Sequence, residues 1–151
     1  MTDQRLTLDE VHALSRRALA GSGARGLQLD QAASSIVEAE ADGIRVVGLG
    51  YLPVYCEHLR CGKVNGEAVP SHRQHAPSAI VSDAAQGFSH AAFHEAAGDF
   101  HALAKRQGVA ALAIRRSTSA GVVGWFVERT ANAGLLALGF ANSSALMAAC
   151  Q

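Results

Sequence analysis

The sequence predicts an α/β chain: a helical N-terminal region followed by a β-α-β-α-β portion of a parallel or mixed sheet. Three observations lead there. The first sixty residues carry apolar side chains at helical spacing. Later, short apolar runs alternate with longer helical patterns. Those runs are continuous rather than alternating, as in strands whose two faces are both covered. The chain divides into a helical region over 1–62, a connector over 63–78 and a sheet portion over 79–151.

Each element has a local reason. Thr7-Leu8-Asp9-Glu10 is a capping box, and Leu8, Val11, Leu14, Ala18 and Leu19 follow on one helical face. Gly21, Gly23 and Gly26 end that helix. Asp30 is the expected cap of a second helix bearing Ala33, Ile36, Val37 and Glu40. Gly43, Gly48 and Gly50 break the pattern. A third helix is expected over Leu52–Arg60, with Pro53 in its first turn and Gly62 past its end. Residues 63–78 hold Pro70, Pro77, His72 and His75 and read as an extended connector with exposed histidines.

Beyond it, Ala79-Ile80-Val81 reads as a strand and Ser89–Gln107 as a helix closed by Gly108. Val109–Ile114 is a second strand, Ser117–Gly121 a polar turn, and Val123–Ala133 a helix closed by Gly134. Leu135–Phe140 is the third expected strand. Three strands leave two open sheet edges, and edges need covering. Either another chain covers them or the sequence is a piece of something longer.

Composition excludes several classes. Of 151 residues, 49% are hydrophobic and 17% charged, which suits a folded core and not a disordered chain. Alanine and glycine are abundant and aromatics few, so close-packed helices and a thin core are expected. Thirteen basic residues balance thirteen acidic ones with no basic stripe, so nucleic acid is not an expected partner. No apolar run reaches membrane-spanning length. The polar, acidic start is unlike a signal peptide, and a cytoplasmic location is expected. Cys56, Cys61 and Cys150 are odd in number and lack metal spacing, which reads as reduced structural thiols.

Few constellations carry chemistry. His90, His94 and His101 share a helical face near Glu95 and Asp99, and zinc uses such pairs. No HExxH or HxxEH pattern accompanies them, so a solvated or half-buried histidine face is expected and no metal. Ser117-Thr118-Ser119-Ala120-Gly121-Val122-Val123-Gly124 lies between a strand and a helix, where open α/β sheets bind ligands and free amides face an anion. It is neither a GxGxxG nor a P-loop, and a hydroxyl-rich helix cap reads equally well. No Ser/His/Asp or Cys/His set assembles; Cys56 and His58, two apart on a helix, point different ways.

Two stretches together resemble the malate/L-lactate dehydrogenase-type oxidoreductases, a family that includes ureidoglycolate and sulfolactate dehydrogenases and cyclic imino-acid reductases. One runs from Ala39-Glu40-Ala41-Asp42-Gly43-Ile44-Arg45 to Pro53, with Tyr55 and Gly62-Lys63-Val64. The other runs from Ala113 to Gly124 and on through Val127-Glu128-Arg129, Ala133-Gly134-Leu135 and Phe140-Ala141-Asn142. Asp83–Gly87 and Phe88-Ser89-His90 fit between them. The resemblance covers nearly the whole chain, and it is the N-terminal portion of family chains more than twice as long.

What the resemblance implies is hydride transfer between NAD or NADP and a small 2-hydroxy acid, 2-keto acid or cyclic imino acid. Ser117, Ser119, Gly121 and Asn142 are then the expected cofactor contacts, and a homo-oligomer or a completing chain the expected partner. The departures point the other way. The family's Ser-His-Gly, whose histidine exchanges the substrate proton, is Val46-Val47-Gly48 here, and valine moves no proton. The position of an arginine suited to a substrate carboxylate is Tyr51. A Ser-His-His run is Ser117-Thr118-Ser119. The expectation is therefore a truncated, catalytically impaired dehydrogenase; the alternative is a non-catalytic remnant or partner subunit acting through protein contacts.

Overall fold

The capping box forms as the sequence predicts. Glu10 N donates to Thr7 Oγ1 at 3.2 Å, and Thr7 N donates to Glu10 Oε2 at 2.8 Å. These bonds hold the Glu10 carboxyl below its usual range and start α1, Leu8–Gly21. The structure, a computed structural model, describes residues 5–142.

Helix α2 spans Gly26–Ala41 and α3 spans Leu52–Arg60. Asp30 does not cap α2. The helix begins a turn earlier, behind Arg25, and Asp30 faces outward to pair with Arg16 of α1. The α3 bounds are those expected, because Pro53 suits a first turn and Gly62 turns left-handed just past the end (φ 75°). Val11, Leu19, Ile36, Tyr55 and Leu59 meet in one core, which also takes Val64 and Phe88 from beyond the helices.

Part of the extended connector is a strand. Ser71–Ala76 forms β1, which pairs antiparallel with β2, Ala79–Asp83, across a two-residue turn at Pro77-Ser78. Its polar sequence hides it: β1 is an edge strand with five of six residues exposed, so no apolar face is required. His72 is its half-buried residue, bonded to Asp99 at 2.9 Å rather than free in solvent. Helix α4 spans Ser89–Gln107 and ends on Gly108 (φ 81°), again as expected. Strand β3, Ala111–Arg115, pairs parallel with β2, and α5 spans Gly124–Asn132.

The order is therefore β-β-α-β-α, in a mixed three-stranded sheet β1-β2-β3. Leu135–Phe140 is not a strand. Its backbone finds no ladder partner among the described residues. Nor is the sheet covered on both faces by the described residues. Ile80 and Leu112 pack on Ala96, Phe100 and Leu103 of α4, while Ala111, Ala113 and Arg115 point to the opposite face and are exposed. Asn142 is the last residue described, and Cys150 lies outside the described residues.

One buried polar side chain ties the two regions together. Gln28 of α2 is fully buried. Its Oε1 accepts from Phe88 N at 2.7 Å and its Nε2 donates to Ala68 O at 3.0 Å. Gly87 is glycine for the same reason: a Cβ there would sit 2.6 Å from the Gln28 amide.

Candidate functional site

The loop between α2 and α3 is shaped by Glu40. Its Oε1 accepts from Leu49 N at 2.7 Å, and the carboxylate fills the space that a Cβ on Gly48 would need. Gly43, left-handed at φ 75°, turns the chain out of α2. On this fixed frame Val46 points outward, 78% exposed, while Val47 is half-buried. Tyr51, at the start of α3, packs edge-on against Tyr55 with ring centroids 5.0 Å apart.

The second part comes from the loops after the parallel strands. All four left-handed non-glycine residues among the described residues lie there: Ala85 and Gln86 after β2, Arg116 and Ser119 after β3. Such strain persists only where the surroundings fix it. Asp83 does part of this, accepting from Arg116 Nε at 2.8 Å and pairing with Arg115 at 2.9 Å. The Arg116 bond, with help from the Ala85 amide, holds the Asp83 carboxyl below its ordinary value. Thr118 N donates to Gly87 O at 2.9 Å.

Ser119 is the hub of the turn. Its Oγ meets Tyr55 Oη at 3.1 Å and accepts from Gly121 N at 3.2 Å, and its carbonyl accepts from Ser89 Oγ. Burial raises the Tyr55 phenol above its usual pKa, so it stays a neutral hydroxyl. The hydroxyls of this turn do not cap α5, whose start at Val123 has no side-chain cap. Gly121 (φ 54°) packs against Tyr55 and His90: a Cβ would lie 3.3 Å from Tyr55 Oη and 3.4 Å from His90 Nε2.

His90 is neither solvated nor half-buried, as a shared histidine face would require. It is fully buried, edge-on to Trp125 at 4.9 Å and stacked on Phe126 at 5.2 Å. Neither ring nitrogen has a partner among the described residues. Burial, aided by the Arg129 charge, pushes its pKa down to about 4. His94 is exposed, and His101 meets the Thr130 hydroxyl at 3.2 Å. The three histidines do not converge, and no group of three metal-binding side chains forms among the described residues.

Arg129 of α5 closes the back of the site. It bonds both Glu38 oxygens, at 2.7 and 2.6 Å, and lies 3.5 Å above the Trp125 ring. Burial works against the Glu38 carboxylate, but bonds from Arg129 and Ser34 outweigh it and hold its pKa low. Between these elements lies a crevice where Val47, Gly121, Val122 and Trp125 meet beside Glu38, Asp42 and Glu128. It has room for about one water molecule.

So the fold brings Val47 and Gly121 to one crevice, 74 positions apart in the chain. Ser119 is used up in holding the turn; Ser117 and Asn142 are exposed. These residues do not by themselves enclose a dinucleotide. Glu40 and Arg129 shape the site without any sequence signal beyond their place in the two stretches, His90 stands out in sequence as one of three helical histidines, and Gln28, outside the stretches, carries no signal at all.

A mixed sheet backed by α4, with the candidate site at the carboxyl ends of its parallel strands, defines an α/β chain of the kind that binds ligands there. More particularly, residues 6–151 match the malate/L-lactate dehydrogenase family, and the chain belongs to it. It is 34% identical over 143 residues to a (2R)-3-sulfolactate dehydrogenase (NADP(+)) of Chromohalobacter salexigens, covering 95% of this chain and 43% of that protein. It is 33% identical over 133 residues to a Delta(1)-pyrroline-2-carboxylate reductase of Burkholderia ambifaria, covering 88% of this chain and 39% of the relative.

The fold is that of malate dehydrogenase from Entamoeba histolytica, with a TM-score of 0.80 at 21% identity over 88% of this chain and 37% of the other. Malate dehydrogenase from Pyrococcus horikoshii gives 0.78 at 21% identity, over 87% and 38%. The chain thus spans about two-fifths of the length of the relatives it matches. No helix among the described residues is long and apolar enough to cross a membrane.

Proposed function

We propose that this chain is part of an oxidoreductase unit built for NAD(P)-dependent hydride transfer on a small 2-hydroxy acid, 2-keto acid or cyclic imino acid. It works in the cytoplasm and, unaided, is catalytically impaired. The observation that carries this reading is the meeting of Val47 and Gly121 at one crevice. Two separate family-like stretches are folded onto each other, yet the side chain at the proton-exchanging position is a valine.

Tyr55, Ser119 and His90 do not replace the missing group. Tyr55 is a buried neutral phenol bonded to Ser119, and His90 is walled in by Trp125 and Phe126. Tyr51 offers no cation for a substrate carboxylate. Loss of a general acid/base costs about 10²–10⁴-fold in rate. Ser117, Ser119, Gly121 and Asn142 contact the cofactor, NAD or NADP, only when further polypeptide closes the site, supplied by a completing chain or a second copy.

A second reading is favoured by Val46. Its exposure puts an apolar side chain on the surface beside Ile44, itself 41% exposed. Such patches mark contact surfaces, and on this reading the chain serves a partner subunit's fold without chemistry of its own.

Trp125, the sole tryptophan, lines the crevice and reports on it by its own fluorescence. NADH and NADPH are titrated against the purified chain and against Val46→Ser plus Val47→His. No quenching by either below millimolar concentrations is expected for both proteins. Micromolar binding by the native chain sinks the impaired-alone reading.

A further inference from the structure

The carboxyl ends of the parallel strands carry a charge that the crevice does not use. Asp83 and Arg115 are the last paired residues of β2 and β3, and Arg116 follows. The Asp83 side chain, 13% exposed, pairs with both arginines. Two guanidiniums therefore share one carboxylate, which leaves one positive charge over. Residues 84–88 and 116–123 form the two loops that follow, and they contain no acidic residue to balance it.

The arginines are anchored at their inner ends. Arg116 meets Asp83 through Nε, at 2.8 and 3.1 Å from the two oxygens, and its Nη groups make no hydrogen bond among the described residues. Arg115 reaches the same carboxylate with Nη2 at 2.9 Å. Asp83 is itself fixed by the Ala85 amide, which donates to Oδ1 at 2.9 Å. The backbone beneath is fixed as well: Ala84 N donates to Arg115 O at 3.0 Å and Gln86 N to Arg116 O at 2.8 Å. The two arginine side chains are 60% and 57% exposed, and Ser117 beside them is exposed.

A guanidinium presents its N–H groups as a planar fork that matches phosphate oxygens. Two forks fixed side by side suit a doubly charged anion with three acceptor oxygens. The loops after parallel strands are also where open α/β sheets bind ligands. We propose that Arg115 and Arg116, held by Asp83, form a subsite for the dianionic phosphate of a phosphomonoester. Two sources share that chemistry. One is the 2′-phosphate of NADP, in which case the subsite rests on the cofactor reading above and selects NADP over NAD. The other is a phosphorylated small molecule, in which case it stands apart from that reading.

Titration of the nitrogen-15-labelled chain with glycerol 2-phosphate tests it by NMR. The amide signals of residues 84–87 and 115–117 and the arginine Nε–H signals are expected to shift saturably, with a Kd of about 1–10 mM. Binding should be at least about fivefold tighter at pH 7.5 than at pH 5, because the ester gains its second charge near a pKa of about 6. Arg115→Gln and Arg116→Gln should each weaken it at least about tenfold. Arg106→Gln, which removes an exposed charge near the start of β3, should leave it unchanged. Shifts that do not saturate by about 20 mM, or that persist in the protein carrying both glutamines, overturn the proposal. So does acetate binding as tightly as the ester, since the site then takes any small anion.

Two nucleotides name the source. Tighter binding of 2′-AMP than of 5′-AMP and glycerol 2-phosphate assigns the subsite to NADP; equal affinities assign it to a free phosphorylated ligand. Nicotinamide binding is read separately, in a chimera in which the chain replaces the stretch it matches in the sulfolactate dehydrogenase relative. A chimera that binds NADH while the arginines ignore phosphate overturns the subsite alone. A phosphate response in a chimera that binds no nicotinamide sinks the cofactor reading alone.

Discussion

The two sides of the crevice differ in what their side chains do for the fold. On the backbone side, Glu40 pins the Gly48 turn, Ser119 ties Tyr55 to Gly121, and Arg129 clamps Glu38. On the front, the loop before α3, Val47 lines the crevice while Val46 and Tyr51 lie nearby in sequence, offering an apolar surface and one phenol. Shape and chemistry are thus carried by different residues. Glycines and buried polar bonds fix the path of the chain, whereas on the function proposed above the exposed or half-buried positions 46, 47 and 51 set the chemistry. One set can be lost without disturbing the other.

The largest effect expected from disturbing the backbone side comes through His90. Its pKa falls from 6.5 unfolded to about 4 folded, so between those values the unfolded chain binds a proton that the folded chain refuses. Stability is full above pH 6.5 and declines as the pH falls toward 4, by about 3 kcal/mol in total. Denaturant midpoints measured from pH 7.5 to 4 should show this slope. His90→Phe should flatten it; an unchanged slope in that variant would place the proton uptake elsewhere.

Next comes Gln28. Its loss leaves the Phe88 amide and the Ala68 carbonyl buried without partners, and Gln28→Ala should cost about 1–3 kcal/mol in a urea titration. A neutral result would mean that water replaces both bonds. Smaller again is the half-buried Arg129–Glu38 pair. Arg129→Met keeps the contact with Trp125 but leaves Glu38 unneutralised, at a cost of about 1 kcal/mol that high salt should not remove. The front of the crevice should matter least for folding. Val46→Ser plus Val47→His changes stability by about 0.5 kcal/mol or less.

The same contrast explains what could be read from the sequence. Caps and stops are local, so α1, α3 and α4 were legible from Thr7 with Glu10, Pro53 with Gly62, and Gly108. Strand pairing is not local. The six residues Leu135–Phe140 have the composition of a strand, but a strand needs a neighbour, and none lies beside them among the described residues. β1 shows the converse: a polar run becomes a strand because β2 offers its edge.

Asp30 has a capping side chain, yet α2 starts earlier because packing of Gln28 and Ala32 continues the helix back to Gly26. The buried polar residues were invisible for a general reason: Gln and His default to the surface, and only contacts from distant segments, such as Phe88 on Gln28, make burial tolerable. For the site, the two stretches pointed to Val47, Ser119 and Gly121 by resemblance alone. Their meeting depends on a Tyr55–Ser119 bond spanning 64 positions.

The most direct test of the separation between shape and chemistry is turnover in a completed site. In the chimera with the sulfolactate dehydrogenase relative, NADPH oxidation with a 2-keto acid is compared for the native stretch and for Val46→Ser plus Val47→His. The account predicts little or no turnover with the valines and a gain of about 10²–10⁴-fold when the histidine returns. Equal turnover in the two proteins would contradict it, and would mean that the proton is moved by a group other than the one Val47 replaces.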